Sequence, residues 1–162
     1  MKTIYLYDEN YSKIRFDYEN ISELKEELQK RGIIIGYDVI IGCDVIIGYD
    51  VIIGYRAIIG DGARIGYDVI IGDGAIIGCD VIIGCDARIG DGIKLQKNFY
   101  IIGSKHSVTY TGNGTLSIGC HNYTIKKWLE KFELIGKKEN YTKEQINEYK
   151  QYILMAEIFT KL

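Results

Sequence analysis

Apolar and polar positions alternate with a period of six residues through the middle of the chain. An isoleucine recurs at every sixth position and is followed each time by glycine, and a valine or alanine stands two residues before nearly all of these isoleucines. Alternation over a few residues predicts short β-strands with one buried face. The isoleucines are Ile35, Ile41, Ile47, Ile53, Ile59, Ile65, Ile71, Ile77, Ile83 and Ile89, and the smaller residues are Val39, Val45, Val51, Ala57, Ala63, Val69, Ala75, Val81 and Ala87.

The pairs Tyr-Asp, Cys-Asp and Asp-Gly lie between these strands and predict corners. Their second residue is almost always aspartate or glycine, and both tolerate the left-handed backbone of a tight turn. Arg56 takes this place in one corner, where we expect local strain or a salt bridge. A chain that turns at such short intervals must coil, and stacked coils pair their strands in parallel. The pattern therefore predicts an all-β solenoid.

Over residues 33–102 the repeated phrase resembles the hexapeptide-repeat family. The resemblance implies a left-handed parallel β-helix in which three hexads form one coil of about eighteen residues. It also implies a homotrimer of parallel solenoids about a threefold axis. The segments GSKH and SIGCH, with the tail that follows them, are similar to those of uncharacterised bacterial and phage hexapeptide-repeat proteins.

The first segment, residues 1–32, predicts a β-hairpin followed by a short helix. Asn20 and Glu23 have the spacing of a capping box, and Gly32 is a plausible helix stop. A hairpin and helix at this place would close the first coil, whose strand edges are otherwise unpaired.

The β-helix is predicted over residues 33–122, with its last coil interrupted over 96–117 before Ile118 and Gly119 restore the phrase. Residues 123–162 predict a helical hairpin that packs on the last coil or on a neighbouring subunit. The predicted helix caps are Thr124 for the first helix and Thr142 with Gln145 for the second.

Residues just before each core isoleucine should point outward, and most of them are isoleucines too. Sorted by an eighteen-residue coil, they form apolar columns larger than a monomer usually exposes. Burial between subunits explains them best, although β-branched residues also favour strands for their own sake. The predicted homotrimer interface uses Ile34, Ile40, Ile52, Ile58, Ile70 and Ile76.

Corner residues also form columns at the same spacing. Aspartates stacked in one column could bind cations, but turn chemistry explains them better because Asp favours corners. Stacked tyrosines are interpreted as packing or subunit contacts and not as a ligand platform. The aspartates are Asp50, Asp68 and Asp86, and the tyrosine pairs are Tyr49 with Tyr67 and Tyr37 with Tyr55.

Charge is divided unevenly along the chain. The net charge is -2 overall, but Lys and Arg against Asp and Glu number 9 against 16 in residues 1–93 and 11 against 6 in residues 94–162. An anionic ligand should favour the C-terminal part, and nucleic-acid binding is not expected. The beginning of the chain is charged and no long apolar run follows, so no membrane association is expected and we predict a cytoplasmic protein with free cysteines.

Two histidines, His106 and His121, offer the best chemistry in the sequence. The resemblance implies an acyltransferase fold, and the family's acyltransferases use a histidine as general base on acyl-coenzyme A. A proline-containing segment that helps those enzymes to place coenzyme A has no counterpart, since the chain has no proline. A zinc site of Cys120 with both histidines lacks a fourth ligand, so no metal is expected.

Two hypotheses follow. The first is a homotrimeric protein without a cofactor that binds a small anionic ligand, with a nucleotide and a phage-type sequestering role as specific forms, in inter-subunit clefts near residues 104–122. The alternative is an O- or N-acyltransferase that uses acetyl-CoA or another acyl-CoA, with His106 or His121 as base. A purely structural trimer is a third hypothesis. The predicted ligand-binding residues are Lys105, His106, Thr109, Tyr110, Asn113, Ser117 and His121.

Overall fold

A computed structural model describes residues 1–96 and 99–161, so residues 97, 98 and 162 of the predicted segments lie outside the described residues. The repeat forms very short strands, most of them two residues long, joined by corners. The N-terminal strands are β1 (Lys2–Tyr7) and β2 (Lys13–Tyr18). The strands of the repeat are β3 (Ile34–Ile35), β4 (Ile40–Ile41), β5 (Val45–Ile47), β6 (Ile52–Ile53), β7 (Ile58–Ile59), β8 (Arg64–Ile65), β9 (Ile70–Ile71), β10 (Ile76–Ile77), β11 (Ile82–Ile83), β12 (Arg88–Ile89) and β13 (Lys94–Leu95).

Strands that lie eighteen residues apart pair in parallel and form the faces of a solenoid. One face has the order β12-β9-β6-β3, another β13-β10-β7-β4, and a third contains β11-β8-β5. Ile34 pairs with Ile52, which pairs in turn with Ile70, so the outward isoleucines form the predicted columns. The repeated Ile, Val and Ala positions are buried on the inside. The predicted all-β solenoid is confirmed, and its coil length and isoleucine spacing agree with a hexapeptide-repeat β-helix.

The corner residues adopt the left-handed backbone that the sequence predicts. Asp38, Asp50 and Asp68 have φ of 57°, 56° and 56°, a conformation that glycine, asparagine and aspartate tolerate best. Arg56 has φ 54° and places its Nε 3.9 Å from Asp38 Oδ2. Both side chains of this ion pair are exposed, so it contributes little to stability.

Glycine follows each core isoleucine because successive coils approach closely there. A Cβ added to Gly66 would lie 2.7 Å from the backbone nitrogen of Cys85 in the next coil, closer than any side chain allows. At Gly90, in the last coil, the nearest atom would be Ile93 Cγ1 at 3.7 Å. Stacking of the coils therefore requires the glycine, and this requirement disappears at the last coil, where stacking ends.

The N-terminal hairpin extends one face of the solenoid. Strand β1 pairs in parallel with β5, with Ile4 opposite Val45, and in antiparallel with β2. A 3₁₀ turn (Ile21–Leu24) and helix α1 (Lys25–Gln29) follow, with the predicted capping box at Asn20. The predicted cap of hairpin and short helix is confirmed.

The structure corrects the prediction of an interrupted last coil. Strands β14 (Tyr100–Ile102), β15 (Ser107–Gly112), β16 (Thr115–Ile118) and β17 (His121–Thr124) form an antiparallel sheet in that order. Ile118 pairs with His121 in antiparallel and does not return to the solenoid. The reason lies in the turn between β15 and β16, where Asn113 and Gly114 have φ of 47° and 69°. Asn-Gly is a strong signal for a β-hairpin.

This antiparallel sheet covers the end of the last coil. The Thr109 hydroxyl accepts a hydrogen bond of 3.0 Å from the Gly84 amide, which would otherwise need a further coil as its partner. The side-chain amide of Asn122 donates to the Arg88 carbonyl at 2.9 Å. Tyr110 packs against the solenoid core and also against the core of the C-terminal region. The edge of the solenoid is thus paired by side chains instead of strands.

Helices α2 (Ile125–Lys138) and α3 (Lys143–Phe159) form the predicted hairpin and pack on the antiparallel sheet. Thr124 caps α2, and Thr142 with Gln145 forms a capping box for α3, as predicted. The indole of Trp128 donates a hydrogen bond of 2.9 Å to the Leu116 carbonyl and joins α2 to β16. Among the described residues, no helix combines the length and the apolar character that crossing a membrane requires.

Candidate functional site

The loop between β14 and β15 is held in place by helix α3. The Tyr149 hydroxyl donates to the His106 carbonyl at 2.7 Å and accepts from the amide of Lys105 at 3.0 Å. Ser104 donates to Glu148 through its amide and its hydroxyl, at 2.8 and 2.5 Å, and these bonds lower the pKa of the Glu148 carboxyl. Contacts more than forty residues apart in sequence therefore position this loop.

The ammonium group of Lys105 lies at the C-terminal end of α2. It donates to the carbonyls of Glu139 at 2.5 Å and Asn140 at 3.3 Å and lies 4.6 Å from the ring centroid of Tyr141. A cation is favourable at this end of a helix because the last carbonyls lack helical partners. Lys105 is exposed, so it remains accessible while these contacts hold it in position.

His121 forms a pair with Glu139. Its Nε2 lies 3.1 Å from Glu139 Oε1, and the two side chains are 26% and 38% exposed. The hydrogen bond from His121 is the main cause that lowers the pKa of Glu139. The imidazole stacks on Tyr123 and meets the edge of Trp128, which fixes its orientation. The pair is thus a positioned imidazole beside a carboxylate.

Both histidines line one small cavity between the antiparallel sheet and the helical hairpin. Its polar lining includes His106, Cys120, His121, Glu139 and Tyr141, and its volume is about 30 Å³. The rings of His106 and Tyr141 lie 5.8 Å apart, and burial raises the pKa of the Tyr141 phenol. Such a volume holds about one water molecule, so a larger ligand must extend beyond the cavity.

Of the predicted ligand-binding residues, His106 and His121 line this cavity, Lys105 lies beside it against the Glu139 carbonyl and the Tyr141 ring, and the other four lie apart from it. Thr109 and Ser117 are buried in the antiparallel sheet; the Thr109 hydroxyl bonds to Gly84, and the Ser117 hydroxyl forms no hydrogen bond within the described residues. The Tyr110 hydroxyl accepts from the amide of Gly114, and Asn113 lies exposed in the hairpin turn. The structure therefore brings together Lys105, His106 and His121 only.

Glu139, Tyr141 and Tyr149 contribute to the site although the sequence analysis did not select them. Glu139 and Tyr141 lie in the connection between the two helices, and Tyr149 lies on the buried face of α3. No short motif links these residues to the histidines, since the sheet and helices bring them together. Only the charge of Glu139 and the local abundance of tyrosine could have suggested them.

In the described part of the chain, no group of three or more His, Cys, Asp or Glu side chains is arranged to hold a metal ion. All four cysteines fall within this part and are free, as predicted. The lysine, imidazole and phenol groups around the cavity can instead bind a ligand through charge and hydrogen bonds, or an imidazole can accept a proton.

No family model matches the chain, and no curated protein matches it either. The fold and the site define the class of protein by themselves: a parallel β-solenoid whose last coil is closed by an antiparallel sheet and a helical hairpin.

Proposed function

We propose that the chain is a homotrimeric solenoid protein that binds a small anionic ligand near Lys105, His106 and His121. Lys105 and His106 come from the loop between β14 and β15 and His121 from the start of β17, and their convergence supports the proposal most strongly. An ammonium group can supply positive charge, and two imidazoles can supply directional donors, to one anion.

The proposed ligand places only its anionic end at the cavity. A cavity of about 30 Å³ is far below the roughly 300–1,000 Å³ of a site that encloses a drug-sized molecule. The rest of the ligand, a nucleotide being one example, would lie across the exposed side of the loop and under a neighbouring subunit. A protein that holds such a ligand without converting it could sequester a signalling molecule, as a phage-type protein would.

The outward isoleucine columns support the proposed trimer. Ile34, Ile40, Ile52 and Ile58 are 60%, 54%, 40% and 37% exposed in the single chain, and each stands in a column with another isoleucine in parallel register. Contiguous apolar surface of this kind marks an interaction face. Identical copies that pair such faces about an axis form a closed oligomer.

Light scattering tests the trimer. We expect the double variant Ile58→Asp with Ile76→Asp to be a monomer or an aggregate, because paired carboxylates cannot be buried without partners. Ile102→Asp is the matched control, since Ile102 is exposed in β14 outside these columns, and it should keep the trimer. An intact trimer from the double variant would refute the interface.

A thermal-shift screen followed by calorimetry tests the ligand. Nucleotides should raise the melting temperature and coenzyme A thioesters should not. Lys105→Ala should weaken nucleotide binding by about 1–3 kcal/mol, the usual range for loss of a charged hydrogen bond. Lys94→Ala, on the exposed face of β13, is the control and should bind as wild type. Stabilisation by thioesters alone would contradict the binding proposal.

The pair of His121 and Glu139 favours acyl transfer as a second candidate function. A carboxylate that orients an imidazole is the usual arrangement of a general base. This candidate requires the release of free thiol from acetyl-CoA with an alcohol or amine acceptor. His121→Ala should then reduce the rate by about a hundredfold or more, with His106→Ala as the comparison. Absence of thiol release across acceptors of both kinds would exclude it.

A further inference from the structure

A second groove lies at the other end of the molecule, where the solenoid meets the N-terminal hairpin. Tyr11, Tyr49 and Tyr67 line it, and its volume is about 490 Å³. The rings of Tyr49 and Tyr67 are stacked with centroids 6.2 Å apart and an angle of 17°. The ring of Tyr11 meets Tyr67 at 81° with centroids 6.0 Å apart. Aromatic rings therefore form two walls of the groove at nearly a right angle.

Two kinds of structure build these walls. Tyr49 and Tyr67 stand at the same corner of successive coils, so the coil spacing sets their stacking. Tyr11 lies in the hairpin turn with φ 59°, and the turn is held by the Asp8 carboxylate, which accepts from the amides of Asn10 and Ser12. Tyr7 packs on Tyr67 with centroids 5.6 Å apart. The rings are therefore placed before any ligand arrives.

The groove is also strongly acidic. Among the described residues that line it, the charged ones are all carboxylates: Asp8, Glu9, Asp50 and Asp68. The basic residues Lys30 and Arg31 line a neighbouring depression with Asp8 and Glu9. Both form ion pairs with Glu27: Lys30 Nζ lies 2.6 Å from one carboxylate oxygen, and Arg31 Nη1 lies 2.8 Å from the other.

We propose that this groove binds an alkylated ammonium ion, such as a trimethylammonium group. A cation without N–H donors is attracted to the faces of aromatic rings, and nearby carboxylates add to the attraction. A small metal ion is a poor alternative, because it needs oxygen ligands within roughly 2.0–2.6 Å and the described side chains form no such group. The size of the groove suits an organic cation.

Tetramethylammonium and choline are the probes, followed by NMR of the full chain. Both should shift the resonances of Tyr11, Tyr49 and Tyr67 at millimolar concentration, and ammonium should shift them much less. A peptide containing trimethyl-lysine, compared with its unmethylated form, distinguishes the two sources of this group. Tighter binding of the methylated peptide than of choline identifies a polypeptide partner, and the reverse identifies a free metabolite; either result supports the proposal.

Variants test the rings directly. Tyr67→Ala should weaken tetramethylammonium binding by about fivefold or more, because it removes the ring that contacts both Tyr49 and Tyr11. Tyr67→Phe keeps a ring and should retain most of the binding. Tyr11→Ala should weaken binding as well, and its exposed position, 70% accessible, keeps the fold intact. Tyr37→Ala, at another corner and 86% exposed, is the control. No binding of tetramethylammonium, equal binding of ammonium, or unchanged binding in both the Tyr67→Ala and Tyr11→Ala variants would overturn the proposal.

Discussion

The solenoid and the C-terminal region bury their cores in different ways. In the solenoid the same Ile, Val and Ala positions recur, and each strand pairs with a strand eighteen residues away. In the C-terminal region the core contains Trp128, Tyr149 and residues of unrelated spacing. Its long-range hydrogen bonds include that of Trp128 to the Leu116 carbonyl, twelve residues apart, and that of Ser104 to Glu148, forty-four residues apart. The repeat thus forms a regular scaffold, and the side chains of more varied chemistry lie in the segments outside it.

The cavity and the tyrosine groove both lie at the ends of the repeat. The cavity with His106 and His121 lies beyond the last coil, and the tyrosine groove lies where the hairpin joins the first coils. A uniform repeat presents the same residues at each level, so it cannot by itself bring different functional groups together. Additions to its ends can, because they place new side chains beside the regular ones.

The largest effect should come from the solenoid core. Ile47→Ala should reduce the free energy of unfolding by about 2–5 kcal/mol, because it leaves a cavity that stacked coils cannot close. Ile46→Ala in the same strand is the control, since Ile46 points outward and is half-buried, whereas Ile47 is fully buried. Urea denaturation followed by circular dichroism measures both. Equal losses of stability in the two variants would contradict the placement of Ile47 on the buried face and Ile46 on the outward face.

The next effect tests whether stacking is what requires glycine. Gly66→Ala should cost about 1–3 kcal/mol, because its Cβ would overlap the backbone of the coil above. Gly90→Ala should change stability by about 0.5 kcal/mol or less, since nothing comparable lies above it. Thermal melts of the two variants give the comparison. A similar loss in both would mean that the glycine serves the local turn instead.

A third prediction addresses the dependence of the candidate site on distant contacts. Tyr149→Phe should cost about 0.5–1.5 kcal/mol, because it removes the hydroxyl that bonds the partly buried Lys105 amide and His106 carbonyl of the loop. Amide hydrogen exchange at Lys105 and His106 should also become faster. Tyr152→Phe removes a hydroxyl that, within the described residues, bonds Glu148 on the same helix and no group of the loop, and it should leave those two exchange rates unchanged. Unchanged exchange in Tyr149→Phe would show that α3 does not hold the loop.

The smallest effect is the pH dependence of the Glu139 pair. The bond from His121 lowers the pKa of Glu139 below its ordinary value of 4.5. The stabilisation is therefore present above that value and is lost as the pH falls through the lower pKa of the folded protein. Melting temperatures of wild type and Glu139→Gln should differ near neutral pH and converge at acidic pH. A difference that persists unchanged in acid would contradict the assignment.

The sequence predicted the solenoid well because its signals are local. The corner aspartates, the capping residues Asn20 and Thr142, and the outward columns all follow from spacing alone. It misjudged the segment around Ile118, where the prediction followed the hexad-like phrase and did not consider the hairpin signal of Asn113-Gly114. Of the predicted ligand-binding residues, Lys105, His106 and His121 are close together, and Thr109 and Ser117 are buried elsewhere.

The repeat by itself determined the coil, its buried face and its corners, because each depends on residues a few positions apart and on identical neighbours one coil away. Only the tertiary structure decided that β15 would close the last coil, that Glu139 would lie against His121, and that Tyr11 would stand against Tyr67. These contacts join dissimilar segments that are far apart in sequence. Their formation depends on how whole elements pack, and no local pattern records that information.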